Sequence, residues 1–265
     1  MARILAVANQ KGGVGKTTTA VNIAAGLAAA ERAVLLVDGD PQGNATSGVG
    51  CSPPAESTTT YEVMLEPAAA EQAILRSVQF DRLDVMCATP DLAAAELELV
   101  DAPNREQRMK LALARVSDRY DYVIIDCPPS LGLITLNMLV ASNAVLIPLQ
   151  CEYYALEGLS QLMRTISVVQ QELNQELAVD GVVLTMFDNR LNLSRQVADD
   201  ARSHFGSLVY EHVIPRNIRL AEAPSFGKPI ITYDVVSVGA QAYLGLVREI
   251  IARTESAAET SLAAT

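Results

Sequence analysis

The chain is acidic and long enough to bury a large hydrophobic core. It has 265 residues, a formal net charge of -11 and a half-hydrophobic composition. The length favours one sizeable domain, and the acidic balance argues against binding of nucleic acid over the whole surface, although a local basic face stays possible. Four single cysteines without C-x-x-C spacing indicate plain reduced thiols rather than a zinc site or a disulfide framework. The first apolar run is too short for a signal peptide or a membrane span, so we expect a cytoplasmic protein.

Short apolar runs alternate with helical patterns along the chain. Buried strands are predicted at residues 4–8, 33–37, 83–88, 122–125, 144–149, 182–186, 209–214 and 229–232. Apolar positions that recur every three or four residues predict helices at 17–30, 156–173 and 240–253. The alternation predicts an α/β fold with a doubly wound, mainly parallel sheet of about seven to eight strands flanked by helices. We expect one domain over residues 1–253 and a polar, disordered tail over residues 254–265.

A glycine-rich loop joins the first predicted strand to the first helix. Its glycines let successive backbone N–H groups surround phosphate oxygens, and the helix N-terminus adds its positive dipole end. Lys16 is predicted to reach the β and γ phosphates of ATP, and the Thr17 hydroxyl to ligate Mg²⁺. Gln10 stands at the first glycine of the G-x-x-x-x-G-K-[ST] pattern, so the generic motif is broken there. The predicted phosphate-binding residues are Lys11, Gly12, Gly13, Val14, Gly15, Lys16, Thr17 and Thr18.

Carboxylates follow two other predicted strands. Asp38 and Asp40 come at the end of the second strand, and Asp126 follows the strand at 122–125. The carboxyl ends of parallel strands meet at one edge of a sheet, where ligands bind. Carboxylates at this edge can hold Mg²⁺-bound water or orient an attacking water. For Asp38 taken alone, a capping or turn role is the alternative.

Three strings of residues resemble the ParA/Soj proteins of the ParA/MinD/nitrogenase iron protein superfamily. They are K-G-G-x-G-K-T-T from Lys11, D-x-D-P-Q-G-N from Asp38, and R-N-I-R-L-A-E-A-P-S from Arg216. With D-N-R-L-N-L-S-R from Asp188, the resemblance extends over nearly the whole chain. It implies a P-loop fold and an ATPase that hydrolyses ATP slowly without a stimulating partner.

The resemblance also implies roles for single residues. Lys11 would cross a dimer interface to the partner's nucleotide, Asp40 would be the catalytic carboxylate, and Asp126 would bind Mg²⁺ through water. Asp38 would be a metal-shell or structural residue. The implied catalytic residues are Lys11, Lys16 and Asp40, the metal residues are Thr17, Asp40 and Asp126, and the base-contacting residues are Pro215 and Asn217. Asp126 and Met186 complete the predicted ATP-binding residues.

The distal half of the chain carries a local excess of basic residues. Between Arg190 and Lys228 six basic residues stand against four acidic ones, in a protein that is acidic as a whole. Non-specific DNA binding requires only that such cations reach phosphates, whereas ordinary solvated charge is the alternative for each of them. The candidate DNA-binding residues are Arg190, Arg195, Arg216, Arg219 and Lys228, and the resemblance favours Arg190 and Arg219.

The expected function is that of a DNA-segregation ATPase. The resemblance implies an ATP-dependent homodimer that is nucleoid-associated, binds DNA non-specifically and is released when a ParB-type centromere-binding protein stimulates hydrolysis. A ParA-like ATPase that positions another cargo on the nucleoid is an open alternative. A MinD-like membrane-cycling ATPase is disfavoured because residues 254–265 contain no lysine or arginine, and an iron protein because the cysteines are unpaired in sequence.

Overall fold

A seven-stranded sheet forms the centre of the protein. The computed structural model describes residues 2–152 and 155–263. The strand order is β3-β4-β2-β5-β1-β6-β7, and all neighbours are parallel except the antiparallel β3 and β4. The strands are β1 Arg3–Val7, β2 Val34–Asp38, β3 Ile74–Leu75, β4 Leu83–Met86, β5 Tyr122–Asp126, β6 Ala144–Gln150 and β7 Ala178–Thr185.

Helices cover both faces of this sheet. Side chains alternate across each strand, so Leu5 and Val7 of β1 enter one core while Ala6 enters the other. The helices are α1 Lys16–Ala29, α2 Asn44–Gly48, α3 Thr60–Leu65, α4 Ala95–Glu98, α5 Arg108–Leu113, α6 Leu133–Ala141, α7 Ala155–Glu172, α8 Asn192–Phe205, α9 Ile218–Glu222, α10 Ile230–Tyr233 and α11 Val238–Ala263. The predicted fold class, a doubly wound and mainly parallel sheet, is confirmed.

Two of the eight predicted strands are wrong. Residues 209–214 contain a single isolated bridge, at Val209, because the backbone N–H groups of Glu211 and His212 donate to the Glu249 carboxylate instead of to a strand. Residues 229–232 begin helix α10, since so short an apolar run does not distinguish a strand from a helix. The two-residue strand β3 was not predicted.

The C-terminal helix is longer than predicted. Helix α11 continues past Arg253 to Ala263, so the expectation of a disordered tail from residue 254 is wrong over this stretch. Alanine and glutamate favour helix there, and Glu255 pairs with Arg32 at 2.7 Å. Among the described residues, no helix is long and apolar enough to cross a membrane.

Candidate functional site

The glycine-rich loop lies at the carboxyl end of β1 and turns directly into α1. Gly13 and Gly15 have φ angles of 74° and 88°, a region in which residues with a Cβ are strained. The Thr185 hydroxyl at the end of β7 donates to the Val14 carbonyl at 2.8 Å and fixes the loop from the side. The loop therefore has the left-handed turns and the helix N-terminus that a phosphate-binding cradle requires.

The two lysines of the loop lie in different environments. Lys16 is 7% exposed, and its Nζ donates to the Lys11 carbonyl at 3.1 Å. Burial lowers the pKa of Lys16, against the opposing effect of nearby carboxylates. The Lys11 Nζ instead lies 3.4 Å from Glu152, beyond the end of β6, and its side chain is partly exposed. Only Lys16 is enclosed by the loop.

Asp38 at the end of β2 is buried and fully hydrogen-bonded. Its Oδ2 accepts from the N–H and from the hydroxyl of Thr46, both at 2.7 Å, and its Oδ1 accepts from the Asp40 N–H at 3.1 Å. Burial raises its pKa to about 6, although these hydrogen bonds oppose the shift. Asp38 thus ties the start of α2 to the sheet, in agreement with the structural alternative weighed for it from sequence.

Asp40 lies two residues further on and is 7% exposed. Its Oδ1 accepts from the Gln42 N–H at 3.0 Å. Gly39 permits this path of the chain, because a Cβ on it would lie 2.8 Å from the Asp126 carbonyl. The close approach brings the segment with Asp40 against the end of β5.

Asp126 ends β5, between β1 and β2 in the sheet. It is completely buried, and neither carboxylate oxygen accepts a hydrogen bond from the described residues. The Thr17 hydroxyl is close by but outside hydrogen-bonding geometry. Burial, followed by the charge of Asp38, raises the pKa of Asp126 well above its usual range. A buried carboxylate without partners is costly, and a cation would satisfy it.

The donors around the loop fit a magnesium-bound phosphate. Oxygen ligands from a carboxylate and a hydroxyl are those that Mg²⁺ takes beside phosphates. Asp126 and Thr17 supply such oxygens next to the cradle, and Lys16 supplies a cation. The structure brings Lys16, Thr17, Asp40 and Asp126 together, as the sequence predicted, while their individual roles stay predictions.

A cavity of about 240 Å³ opens beside the loop. Its walls include Met186, a predicted ATP-binding residue, and the two predicted base-contacting residues, Pro215 and Asn217. Met186 has a φ of 51°, a left-handed conformation that is uncommon for a residue with a long side chain. The Asn217 Oδ1 accepts from the Leu220 N–H at 3.3 Å and caps α9, which leaves its amide N–H₂ group for a ligand. The cavity is large enough for a purine ring.

Three of the five candidate DNA-binding residues lie beside carboxylates. The Arg190 side chain is 88% exposed and holds Asp188 with two hydrogen bonds, at 2.9 and 2.7 Å. Arg219 lies 2.9 Å from Glu222 and 3.4 Å from Asp234, and Arg216 lies 3.9 Å from Glu152. Arg195 contacts Asn192, and Lys228 forms no ion pair within the part of the chain that the structure describes. The basic excess is therefore partly neutralised by neighbouring carboxylates.

Sequence reasoning missed several residues that hold the site together. Thr46 and Thr185 are hydroxyl residues whose partners are distant in sequence, so no local motif marks them. Glu152 is the acidic partner of Lys11. It follows β6, the strand next to β1, and this position could have indicated from sequence that it lies near the loop. The Gln10 amide nitrogen, at the broken position of the motif, is buried without a partner among the described residues.

The fold and this site define a P-loop nucleotide-binding protein. The chain matches the AAA domain family model over residues 2–179. It is 55% identical over 251 residues to the chromosome partitioning protein ParA of Myxococcus xanthus, which covers 95% of this chain and 88% of the relative. It is 54% identical over 252 residues to the sporulation initiation inhibitor protein Soj of Bacillus subtilis, with 95% and 99% covered.

A solved structure agrees over almost the entire chain. It is described as cobyrinic acid a,c-diamide synthase from Mycobacterium smegmatis with bound ADP and magnesium. The two chains are 41% identical with a TM-score of 0.82, and 97% of each is covered. On these similarities, the chain belongs to the ParA/Soj family of chromosome-partitioning ATPases.

Proposed function

We propose that this protein is a DNA-segregation ATPase that dimerises on binding ATP. The ATP dimer binds DNA non-specifically and is released on hydrolysis, which a ParB-type partner stimulates. Membership of the ParA/Soj family supports the ATPase and its place in chromosome partition. The observation that carries the proposal is the different placement of Lys11 and Lys16.

Lys16 serves the nucleotide of its own chain, and Lys11 serves the partner's. Lys16 is enclosed by the loop, where its ammonium group meets the β and γ phosphates. Lys11 is held outside the loop by Glu152 in an ion pair of two partly exposed groups. Such a pair contributes only about 0 to 1 kcal/mol, so it is readily exchanged for a phosphate of a second protomer.

The remaining site residues complete a hydrolytic centre. Thr17 and Asp126 would hold a Mg²⁺ ion, which would satisfy the otherwise unpaired carboxylate and supply positive charge beside the phosphate oxygens. Asp40 orients the attacking water, and the cavity at Met186, Pro215 and Asn217 takes the adenine.

DNA binding uses the arginines that are now paired with carboxylates. Arg190 and Arg219 are at least half exposed in their side chains and can exchange Asp188 and Glu222 for phosphates. A dimer presents two copies of each residue, so weak contacts add through avidity. If this is correct, Asp188→Asn strengthens DNA binding, because it frees Arg190, whereas Arg190→Gln weakens it.

The decisive experiment measures binding to non-specific duplex DNA with ADP and with ATP at two salt concentrations. Asp40→Ala should trap the ATP dimer and strengthen binding, whereas Lys11→Ala and Arg219→Glu should abolish it. Arg82→Glu is the matched control. Arg82 immediately precedes β4, so it lies at the amino ends of the strands, away from the nucleotide site. A chain that binds DNA equally with ADP and ATP, or not at all, refutes the proposal and directs attention to protein cargo or membranes.

A further inference from the structure

Two of the four cysteines lie close together, although they are 36 positions apart in sequence. Cys87 follows β4 and is buried in the core that contains α1 and α11, and Cys51 follows α2 and packs against that core. The thiols of Cys51 and Cys87 lie close enough for each to shift the pKa of the other. The sequence predicted four separate reduced thiols. In the structure, these two thiols are neighbours and form a dithiol.

One residue, Thr46, fixes the backbones on both sides of this pair. The Cys51 N–H donates to the Thr46 carbonyl at 3.0 Å, and the Ala88 N–H donates to the Thr46 hydroxyl oxygen at 2.9 Å. The same hydroxyl donates to Asp38 at 2.7 Å. The dithiol is therefore one residue away from the carboxylate that anchors the segment carrying Asp40.

The two thiols differ in exposure and reactivity. Cys51 is partly exposed, whereas Cys87 is 1% exposed. The neighbouring Cys87 thiol lowers the pKa of Cys51, whereas the Cys51 thiol, together with burial, raises the pKa of Cys87. The thiolate is the nucleophilic form, so Cys51 is the thiol that an oxidant meets first. Cys127 and Cys151 are both buried, and burial raises the pKa of each.

We propose that Cys51 and Cys87 are a modification site that peroxide oxidises to a disulfide. The Cys51 thiolate attacks one oxygen of hydrogen peroxide, the O–O bond breaks, and hydroxide leaves a sulfenic acid on Cys51. The Cys87 sulfur then attacks the Cys51 sulfur, the S–O bond breaks, and water leaves with the Cys87 proton. In total two thiols lose two electrons and two protons, and one peroxide becomes two waters.

The disulfide would restrain the segment that runs from Asp40 through α2 to Cys51. Since this segment begins at Asp40, oxidation should reduce ATP turnover several-fold, and a dithiol reductant should restore it. This consequence rests on the proposed hydrolytic role of Asp40. The formation of the disulfide does not, so the two are tested by separate readouts.

The test is a tryptic peptide map of the folded full chain, treated with hydrogen peroxide and alkylated without reduction. Cleavage after arginine places Cys51 in peptide 33–76, Cys87 in peptide 83–105, and both other cysteines in peptide 120–164. We expect peptides 33–76 and 83–105 to be replaced by one species whose mass is their sum less two hydrogen atoms. Reduction should return both.

Two variants make the result specific. Cys51→Ser should lose the linked species and keep its ATP turnover in peroxide, whereas Cys151→Ser should behave like the unaltered chain. Separate alkylation of both peptides after peroxide, irreversible oxidation of Cys51 alone, or a link to peptide 120–164 would overturn the proposal. A fully linked chain with unchanged turnover would overturn the effect on the nucleotide site.

Discussion

The unpaired carboxylate of Asp126 predicts that the nucleotide site destabilises the protein without its ligands. Leaving a buried polar group unsatisfied costs about 1 to 3 kcal/mol, and neither oxygen of Asp126 has a partner among the described residues. Asp126→Asn removes the buried charge and its repulsion with Asp38. In a metal chelator we expect this variant to unfold at a temperature higher by about 2 to 12 °C, since 1 kcal/mol shifts the midpoint by about 2 to 4 °C at this size.

Added ATP and Mg²⁺ should reverse the order. A ligand at about 100 times its dissociation constant stabilises the folded state by about 2.7 kcal/mol. The unaltered chain should gain this amount, and the variant should gain less because it has lost the carboxylate that faces the cation. Thermal unfolding by calorimetry or fluorimetry, with and without ligands, measures both differences.

The stability difference between the two chains should depend on pH. The pKa of Asp126 is raised in the folded state, so the folded protein binds a proton more tightly than the unfolded chain. Stability is therefore lost as pH rises from about 3.9 towards the folded-state pKa. The advantage of Asp126→Asn in chelator should accordingly be smaller at pH 5 than at pH 8.

A partnered carboxylate is the matched control. Asp84 on the adjacent region of the sheet is also buried, but it accepts hydrogen bonds from the Tyr120 hydroxyl and the Ser77 N–H. Asp84→Asn should lower the unfolding temperature. If Asp126→Asn also lowers it in chelator, the carboxylate is satisfied in solution and the reasoning is refuted.

Three further substitutions test the geometry of the site. Gly39→Ala should lower the unfolding free energy by about 1 to 3 kcal/mol in chemical denaturation, because its Cβ would meet a backbone carbonyl. Gly12→Ala is the control and should change this free energy little, because the space around Gly12 is open. Asn217→Ala should lower the unfolding free energy by about 1 kcal/mol, because it removes the α9 cap. Asn217→Asp should keep the cap but weaken ATP binding. If calorimetric titration gives Asn217→Asp and the unaltered chain the same ATP affinity, a base contact by Asn217 is excluded. Glu152→Gln should free Lys11 and tighten ATP-dependent dimerisation up to about five-fold in sedimentation; weaker dimerisation would contradict this.

The sheet and the nucleotide site were predictable because their signals are local. Buried parallel strands are continuous apolar runs, and the loop from Lys11 to Thr18 is a contiguous motif. The residues at 209–214 were misread because Glu249, distant in sequence, takes their backbone N–H groups. Hydrogen bonds of this kind depend on tertiary structure and leave no periodic trace.

The contacts that support the site could not be predicted from the sequence for the same reason. Thr46 contacts Asp38 and Ala88, but a threonine in a polar stretch has no distinguishing pattern. The pairing of Cys51 with Cys87 depends on the end of β4 lying beside the segment after α2, and their spacing matches no known motif. The arginine candidates were identified, but their carboxylate partners were not.

If the protein binds DNA as proposed, those carboxylate partners make the attachment an exchange reaction. Each arginine that meets a phosphate must first release a carboxylate, so the free energy gained is only the difference between two ion pairs. The released carboxylate then stands near the phosphate and repels it. Each contact made this way would be weak, so the proposed dimer would exchange single contacts and move between neighbouring sites without leaving the DNA. The loss of one protomer would then be enough to release it.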